Sequence, residues 1–95
     1  RNTDIGILYD PSRISEKNYS HLLKEFLKLE DPDLKIRYNY PYLGKADGFT
    51  TSLRKEFPTL YSGIELEVNQ KFIINNNLDI KLKSAFFNSI KSLKF

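Results

Sequence analysis

The chain has 95 residues, of which 40% are hydrophobic and 14% aromatic, and its formal net charge is +3. This length limits residues 1–95 to a single domain with a modest core. The absence of cysteine excludes disulfides and thiolate chemistry, and the single histidine excludes a histidine-based metal site completed within the chain. No run of about 18 apolar residues is present, so we expect no membrane span and no membrane partner.

The positive charge is concentrated at one end of the chain. Residues 1–70 contain ten Lys or Arg and eleven Asp or Glu, whereas residues 71–95 contain five Lys and one Asp. Nucleic-acid surfaces combine clustered arginines with stacking aromatic residues, and a diffuse surplus of lysine is more typical of a solvated helix face. We therefore expect no nucleic-acid partner. The cysteine-free composition is compatible with a cytoplasmic protein.

The first two predicted elements are a buried strand and an amphipathic helix. A short apolar run over 4–10 predicts a strand buried on both faces, in which Gly6 permits a close neighbour. Asp10 ends this run, either at a ligand-binding edge or, the interpretation we favour, in a turn with the proline that follows. Apolar residues at 3- and 4-residue spacing predict a helix over 14–30, capped by Ser15. Its apolar stripe consists of Tyr19, Leu22, Leu23, Phe26 and Leu27.

The remaining elements continue the alternation of strand and helix. In order, they are a strand over 34–40, a shaped loop over 40–48, a helix over 49–57, a strand over 62–70, a turn over 75–77 and a helix over 78–93. Asp47, Thr50 and Thr51 are the candidate caps of the middle helix. The apolar stripe of the last helix consists of Leu78, Leu82, Ala85, Phe86, Phe87, Ile90 and Leu93.

This order of elements predicts the fold class. The sequence β-α-β-α-β-α favours an α/β fold with a mainly parallel sheet of about three strands and helices packed on its faces. Three strands are few for such a sheet. We therefore expect the chain to be part of a larger α/β domain, and its start without Met, directly before a strand, favours the same interpretation.

The third strand contains two carboxylates on one face. Ile64, Leu66 and Val68 alternate with Glu65 and Glu67, so the two glutamates point away from the apolar side. If their face lies in water, the pair contributes only to solubility. If their face lines a cleft, the neighbouring charges raise one pKa, and a general base or a metal ligand becomes feasible. Spacing alone favours the solvated face.

Three segments of the chain resemble a known family when they are taken together. They are N-Y-P-Y-L-G from Asn39, D-G-F-T-T-S-L-R from Asp47 and G-I-E-L-E-V-N-Q from Gly63. In this order they resemble the C-terminal half of the N-formylglutamate amidohydrolase family. The strand over 4–10 also fits the family pattern of a short apolar strand that ends in aspartate. The resemblance spans roughly residues 4–74, and each segment alone is a weak signal.

The resemblance implies a fold, an activity and a cofactor. The family fold resembles that of zinc carboxypeptidases and aspartoacylases, with a metal site at the strand ends of a mixed α/β sheet. The implied activity is zinc-dependent hydrolysis of an N-acyl amino acid, such as N-formylglutamate to formate and glutamate. The family's metal ligands lie in its N-terminal half, which has no counterpart in this sequence. We therefore expect zinc in the complete enzyme, no zinc site completed within this chain, and no activity of this chain alone.

The resemblance also assigns roles to individual residues. Glu67 matches the glutamate of the final strand that serves as general base, and Glu65 is the runner-up, favoured by aspartoacylase-like G-I-E patterns. The candidate substrate-binding residues are Arg37, Asn39, Tyr42 and Arg54. A guanidinium can bind a substrate carboxylate through two hydrogen bonds, although both arginines also fit ordinary surface positions. Tyr42 is expected to shape the loop.

A second interpretation is a module without catalytic activity. The short chain and the incomplete catalytic set also fit a small binding or regulatory protein for an anionic metabolite, or for a partner chain bound along an unpaired sheet edge. For the enzyme, the expected partners are a small-molecule N-acyl amino acid and either the missing N-terminal half or a second copy of the chain. Self-association is expected because an incomplete sheet leaves an edge and an apolar face.

Overall fold

The order of elements follows the predicted alternation of strand and helix. The computed structural model describes residues 3–40, 43–44, 48–57, 62–75 and 77–93. Its elements are β1 (Ile5–Leu8), α1 (Ile14–Glu30), β2 (Ile36–Tyr38), α2 (Gly48–Glu56), β3 (Glu65–Val68), β4 (Ile73–Ile74), β5 (Asn77–Leu78) and α3 (Ile80–Ser92). The hairpin of β4 and β5 is an addition to the prediction, and Asn75 in the turn between its strands has a positive φ of 51°.

The strands of the main sheet do not all run in one direction. The sheet has the order β2-β1-β3; β1 and β2 are parallel, whereas β1 and β3 are antiparallel. The prediction of a mainly parallel sheet is therefore wrong for β3. All four residues of β3 are partly exposed, and half-exposed alternating strands are typical of antiparallel pairs. The chain is thus a mixed helix-and-strand protein with a small mixed sheet.

The core lies between one face of the sheet and two helices. Ile5 and Ile7 of β1 are fully buried, and α1 and α3 pack against each other and against these strand residues. The other buried apolar residues of this cluster are Tyr9, Leu23, Leu27, Leu34, Ile36, Leu82, Ala85 and Leu93. At about 0.8 kcal/mol per buried methylene, this cluster is the main favourable term in folding.

Each helix buries a narrower stripe than its spacing predicts. Leu22 in α1, and Phe87 and Ile90 in α3, were predicted to be apolar-stripe residues, but they are 41%, 65% and 47% exposed. The cause is that each of these helices contacts the core along one line only, occupied in α3 by Leu82, Ala85 and Ser89. Leu78 belongs to β5, because α3 begins only at Ile80 after its cap Asp79.

The turn between β1 and α1 is held by Asp10. The Oδ1 atom of Asp10 accepts hydrogen bonds from the N–H of Ser12 at 3.0 Å and from its hydroxyl at 2.7 Å, which confirms the predicted turn role. The predicted cap Ser15 is wrong, because α1 has Arg13 at its N-cap position without a side-chain capping bond. The Ser15 hydroxyl instead shares a hydrogen bond with the hydroxyl of Ser62.

The short helix α2 begins one residue before its predicted start. Thr50 and Thr51 lie inside it and are therefore not its caps, whereas the third candidate, Asp47, lies outside the described residues. Phe57 follows the helix and is 45% exposed, so it adds little to the core. Over the ranges that the structure describes, no helix has the length and apolar composition needed to cross a membrane.

Candidate functional site

The loop after β2 turns back across the sheet because of Asn39. This residue has a positive φ of 50°, a conformation that asparagine tolerates better than most residues. Its N–H donates to the Ile7 carbonyl at 2.9 Å, and its side-chain Oδ1 accepts hydrogen bonds from the N–H groups of Tyr9 and Gly44 at 2.9 and 3.1 Å. Asn39 therefore fastens the loop to the carboxyl end of β1.

Two glycines allow this loop to lie directly on β1. A Cβ atom built on Gly6 would collide with the carbonyl oxygen of Tyr40, and one built on Gly44 would collide with the backbone of Leu8 and Tyr9. Both collisions are with main chain, which cannot rotate away as a side chain can. The predicted close approach at Gly6 is confirmed, and it explains why β1 is buried on both faces.

The face of the sheet opposite the helices presents charged residues from two strands. In the pairing register, Gly6 lies between Arg37 of β2 and Glu67 of β3, and Glu65 lies opposite Leu8. Paired residues of adjacent strands point to the same side of a sheet. We call the surface formed by Gly6, Leu8, Arg37, Glu65 and Glu67 the polar sheet face.

On the polar sheet face, Arg37 and Glu67 lie on either side of β1, about 9–10 Å apart between Cα atoms at two strand spacings. The backbone of Tyr40 lies on Gly6 between them. The Arg37 guanidinium lies over the ring of Tyr40, 3.9 Å from the ring centroid, and such stacking orients a guanidinium while its edge still faces outward.

A buried ion pair lies next to the carboxyl end of β1. Glu16 of α1 is fully buried, and its carboxylate accepts two hydrogen bonds from the guanidinium of Arg54 in α2, at 2.8 and 2.7 Å. The same carboxylate accepts the N–H groups of Asp10 and Gly63, and Arg13 lies 3.0 Å away. Glu16 therefore connects α1 with α2, with the residues that follow β1 and with the segment that precedes β3.

The environment of Glu16 keeps its carboxyl ionised. Burial alone would raise its pKa, but hydrogen bonds from Arg54 and from the N–H groups of Asp10 and Gly63, with the positive charge of Arg54, outweigh burial and hold the pKa below its usual value. Arg54 donates in addition to the Gly63 carbonyl at 3.0 Å. The group is thus a fixed negative charge, neutralised inside the protein.

Glu16 is not among the residues predicted for the site, because a glutamate in the first turn of a helix usually lies on the surface and interacts favourably with the helix dipole there. Its spacing in the sequence nevertheless indicated that it is buried. Glu16 and Ser20 extend the line of Leu23 and Leu27 at spacings of three and four residues, and all four are buried. A charged residue on the buried line of a helix predicts a buried partner of opposite charge.

The direction of β3 changes which glutamate lies at the strand ends. Because β3 is antiparallel to β1, Glu65 lies beside Leu8, where β1 ends, and Glu67 lies beside Gly6, further from this edge. In a parallel sheet, Glu67 would lie nearer than Glu65 to the carboxyl ends of the strands, but β3 runs in the opposite direction to β1. Ligand sites in open α/β sheets lie at the carboxyl ends of the strands, so this geometry favours Glu65.

The predicted substrate-binding residues occupy different environments. Arg37 is exposed on the polar sheet face. Asn39 and Arg54 lie near the end of β1, where Asn39 holds the loop and the guanidinium of Arg54 contacts Glu16. Tyr42 lies outside the described residues. Among these candidates, Arg37 is the one whose charged group faces outward on the same surface as the glutamates.

The described side chains do not form a metal-binding group. Within the ranges given above, no three His, Asp or Glu side chains lie close enough together to hold a metal ion. His21 is exposed on α1, and its ring stacks on Tyr38 with 4.7 Å between centroids. Comparison of the chain with protein-family models, with curated proteins and with solved structures finds no match.

Proposed function

We propose that this chain is the C-terminal portion of a zinc-dependent enzyme similar to N-formylglutamate amidohydrolases, which hydrolyses the amide of an N-acyl amino acid. The observation that supports this proposal most directly is the position of Glu65. It lies on the polar sheet face at the end of β1, two residues from Glu67 and on the same face as Arg37. A carboxylate and a guanidinium on one face match the two needs of this reaction, a base and a group that binds the substrate's carboxylate.

Glu65 is the proposed general base. A carboxylate can take a proton from the attacking water. Glu67 lies about 6–7 Å further along the strand at two residues of rise and is assigned no contact with the reacting water.

Arg37 is the proposed binding group for a substrate carboxylate. N-formylglutamate has two carboxylates, and a guanidinium binds a carboxylate through two parallel hydrogen bonds. Stacking on Tyr40 reduces the freedom of the Arg37 side chain before substrate arrives, which lowers the entropy cost of binding. The Arg54 guanidinium is assigned instead to support of the loop and of the entry to β3, through Glu16.

Among the residues that the structure describes, no group of three side chains is suited to hold zinc, and the histidine is stacked on Tyr38. Hydrolysis is therefore proposed for the complete enzyme and not for this chain alone. In the complete enzyme, the 95 residues would supply the general base and bind the substrate. Another polypeptide segment would supply the metal ligands.

Substrate recognition is tested by titrating the isotopically labelled chain with N-formyl-L-glutamate and following backbone amide shifts by NMR. We expect weak binding, with the largest shifts at Gly6, Arg37 and Glu65. Arg37→Gln should remove these shifts. The matched control is Lys91→Gln, which also neutralises one exposed cation but lies on α3. A neutral amide analogue of the substrate should cause no shifts.

Two results would contradict the proposal. One is the absence of shifts on the polar sheet face at saturating N-formyl-L-glutamate. The other is equal binding of the neutral analogue, because recognition by Arg37 requires a carboxylate. Formate release from the chain with added zinc should not exceed the metal-only blank, and turnover removed by a chelator would show that the chain completes its own zinc site.

A further inference from the structure

The outer edge of β2 presents backbone groups that point away from the sheet. The Lys35 carbonyl accepts from the Ile5 N–H at 3.1 Å, and the Asn39 N–H donates to Ile7. Along a strand, successive residues direct their N–H and C=O groups to opposite sides. Ile36 and Tyr38 therefore direct theirs outward, and in the described sheet β2 is an edge strand.

Two adjoining grooves follow this edge. They share Lys24 and Lys28 of α1, so they form one continuous depression, which we call the β2 groove. The remaining residues of its lining are Thr3, His21, Glu25, Leu29, Asp33, Leu34, Lys35, Ile36, Arg37 and Tyr38. Part of the lining is apolar, formed by Leu29, which is 76% exposed, and by the ring of Tyr38. An open edge beside an apolar groove is the geometry that adds a further strand in β-augmentation.

The charge of the β2 groove selects among possible occupants. Four cations line it, Lys24, Lys28, Lys35 and Arg37, against two anions, Glu25 and Asp33. The Lys24 ammonium lies over the Tyr38 ring at 4.9 Å from its centroid. A second copy of the chain, paired edge to edge, would bring two such positive grooves together, and like charges oppose that pairing. An acidic strand would meet the opposite charge.

We infer that the β2 groove binds an extended acidic segment of a partner protein, which adds to the sheet as a strand beside β2. Its backbone would pair with Ile36 and Tyr38. Its apolar side chains would lie on the α1 side, beside Leu29 and Tyr38. The alternate carboxylates would face Lys35 and Arg37 on the other side of the sheet. The groove shares Arg37 with the polar sheet face, but strand addition beside β2 does not depend on the proposed hydrolase function.

The test uses the labelled 95-residue chain and a short capped peptide of alternating glutamate and valine. We expect shifts and slowed hydrogen exchange at the amides of Ile36 and Tyr38, and weaker binding as salt is raised. Replacing both Lys35 and Arg37 by glutamate should weaken binding about tenfold, because these exposed cations face the carboxylates of the added strand. Lys28 is left unchanged because its ammonium donates to the carbonyls of Pro32 and Leu34.

The matched control replaces Lys81 and Lys91 of α3 by glutamate. This makes the same change in charge away from the groove and should reduce binding less than threefold.

Three outcomes would overturn the inference. They are equal binding of a lysine–valine peptide, no shifts at Ile36 and Tyr38 with the acidic peptide, and slowed exchange at these two amides in the chain alone that increases with its concentration. The last would show that a second copy occupies the edge.

Discussion

Arg54 and Glu16 form a two-pronged ion pair inside the protein, with Nε to Oε2 at 2.8 Å and Nη2 to Oε1 at 2.7 Å. The residues come from α2 and α1, 38 positions apart. Arg54 also donates to the carbonyl of Gly63, and Glu16 accepts the Gly63 N–H. The start of β3, which contains both candidate catalytic glutamates, is therefore held by this pair.

Loss of one partner of the pair should be costly. Arg54→Met leaves the buried Glu16 carboxylate without its main counter-charge, and breaking a buried pair in this way costs about 3–5 kcal/mol. We expect the free energy of unfolding, measured by urea denaturation, to fall by this amount. Arg37→Met is the matched control, because it makes the same change at an exposed position, and it should cost less than about 1 kcal/mol. Equal losses in the two variants would mean that the Glu16–Arg54 pair contributes little.

Stability should fall in acid because of the same carboxylate. The pKa of folded Glu16 lies below its usual value of 4.5. The unfolded chain therefore takes up a proton at this residue at higher pH than the folded chain does. The stabilisation is fully present above about pH 4.5 and is lost as pH falls through the folded pKa. Asp4 changes the stability with pH in the same direction. Hydrogen bonds from Lys71 and from the Lys35 N–H outweigh burial and lower the pKa of Asp4 below 3.8.

The acid dependence is measured as the free energy of unfolding in urea at a series of pH values from neutral to strongly acidic. Glu16→Gln should be less stable at neutral pH and should show a flatter decline in acid, with the remaining slope due to Asp4 and other carboxyls. Asp4→Asn in the same series separates the second contribution. A Glu16→Gln protein whose decline is parallel to that of the wild type would contradict the assignment.

Gly6→Ala should displace the loop that crosses β1. The added methyl group meets the carbonyl oxygen of Tyr40, and such overpacking typically costs about 1–3 kcal/mol. Amide shifts should change at Asn39 and Gly44, which anchor the loop. Ser84→Thr adds a methyl group at an exposed position of α3 and should leave both stability and the loop shifts nearly unchanged. A fully stable Gly6→Ala protein with wild-type loop shifts would show that the loop does not lie on β1.

Local patterns predicted the local structure well. The helix over 14–30 is observed with the predicted ends, because its apolar spacing is followed by the helix-breaking pair of Asp31 and Pro32. The close approach at Gly6 and the turn at Asp10 were also predicted, since each depends on one residue type and its immediate neighbours. These features are decided within a few residues of sequence.

Features that depend on distant parts of the chain were harder to predict. Alternation at Glu65 and Glu67 identifies a strand but contains no information on its direction relative to β1. The partner of Glu16 lies 38 residues away in α2, and spacing within α1 shows only that the position is buried. The exposed Phe87 was predicted to be buried because a helix with apolar residues on two sides does not reveal which side meets the sheet.

The antiparallel direction of β3 leads to a test of the two glutamates. The test uses a protein in which this chain is joined to the segment that supplies the metal ligands. Glu65→Gln should lower kcat about 10²–10⁴-fold, the usual contribution of a general base, while zinc stays bound. Glu67→Gln should have a milder effect, because Glu67 lies about 6–7 Å from Glu65 along the strand and further from the end of β1. The measurements are kcat and zinc content for each variant. If Glu67→Gln abolishes turnover with full zinc content and Glu65→Gln does not, the base is the glutamate opposite Gly6, and the position of Glu65 at the end of β1 does not determine the chemistry.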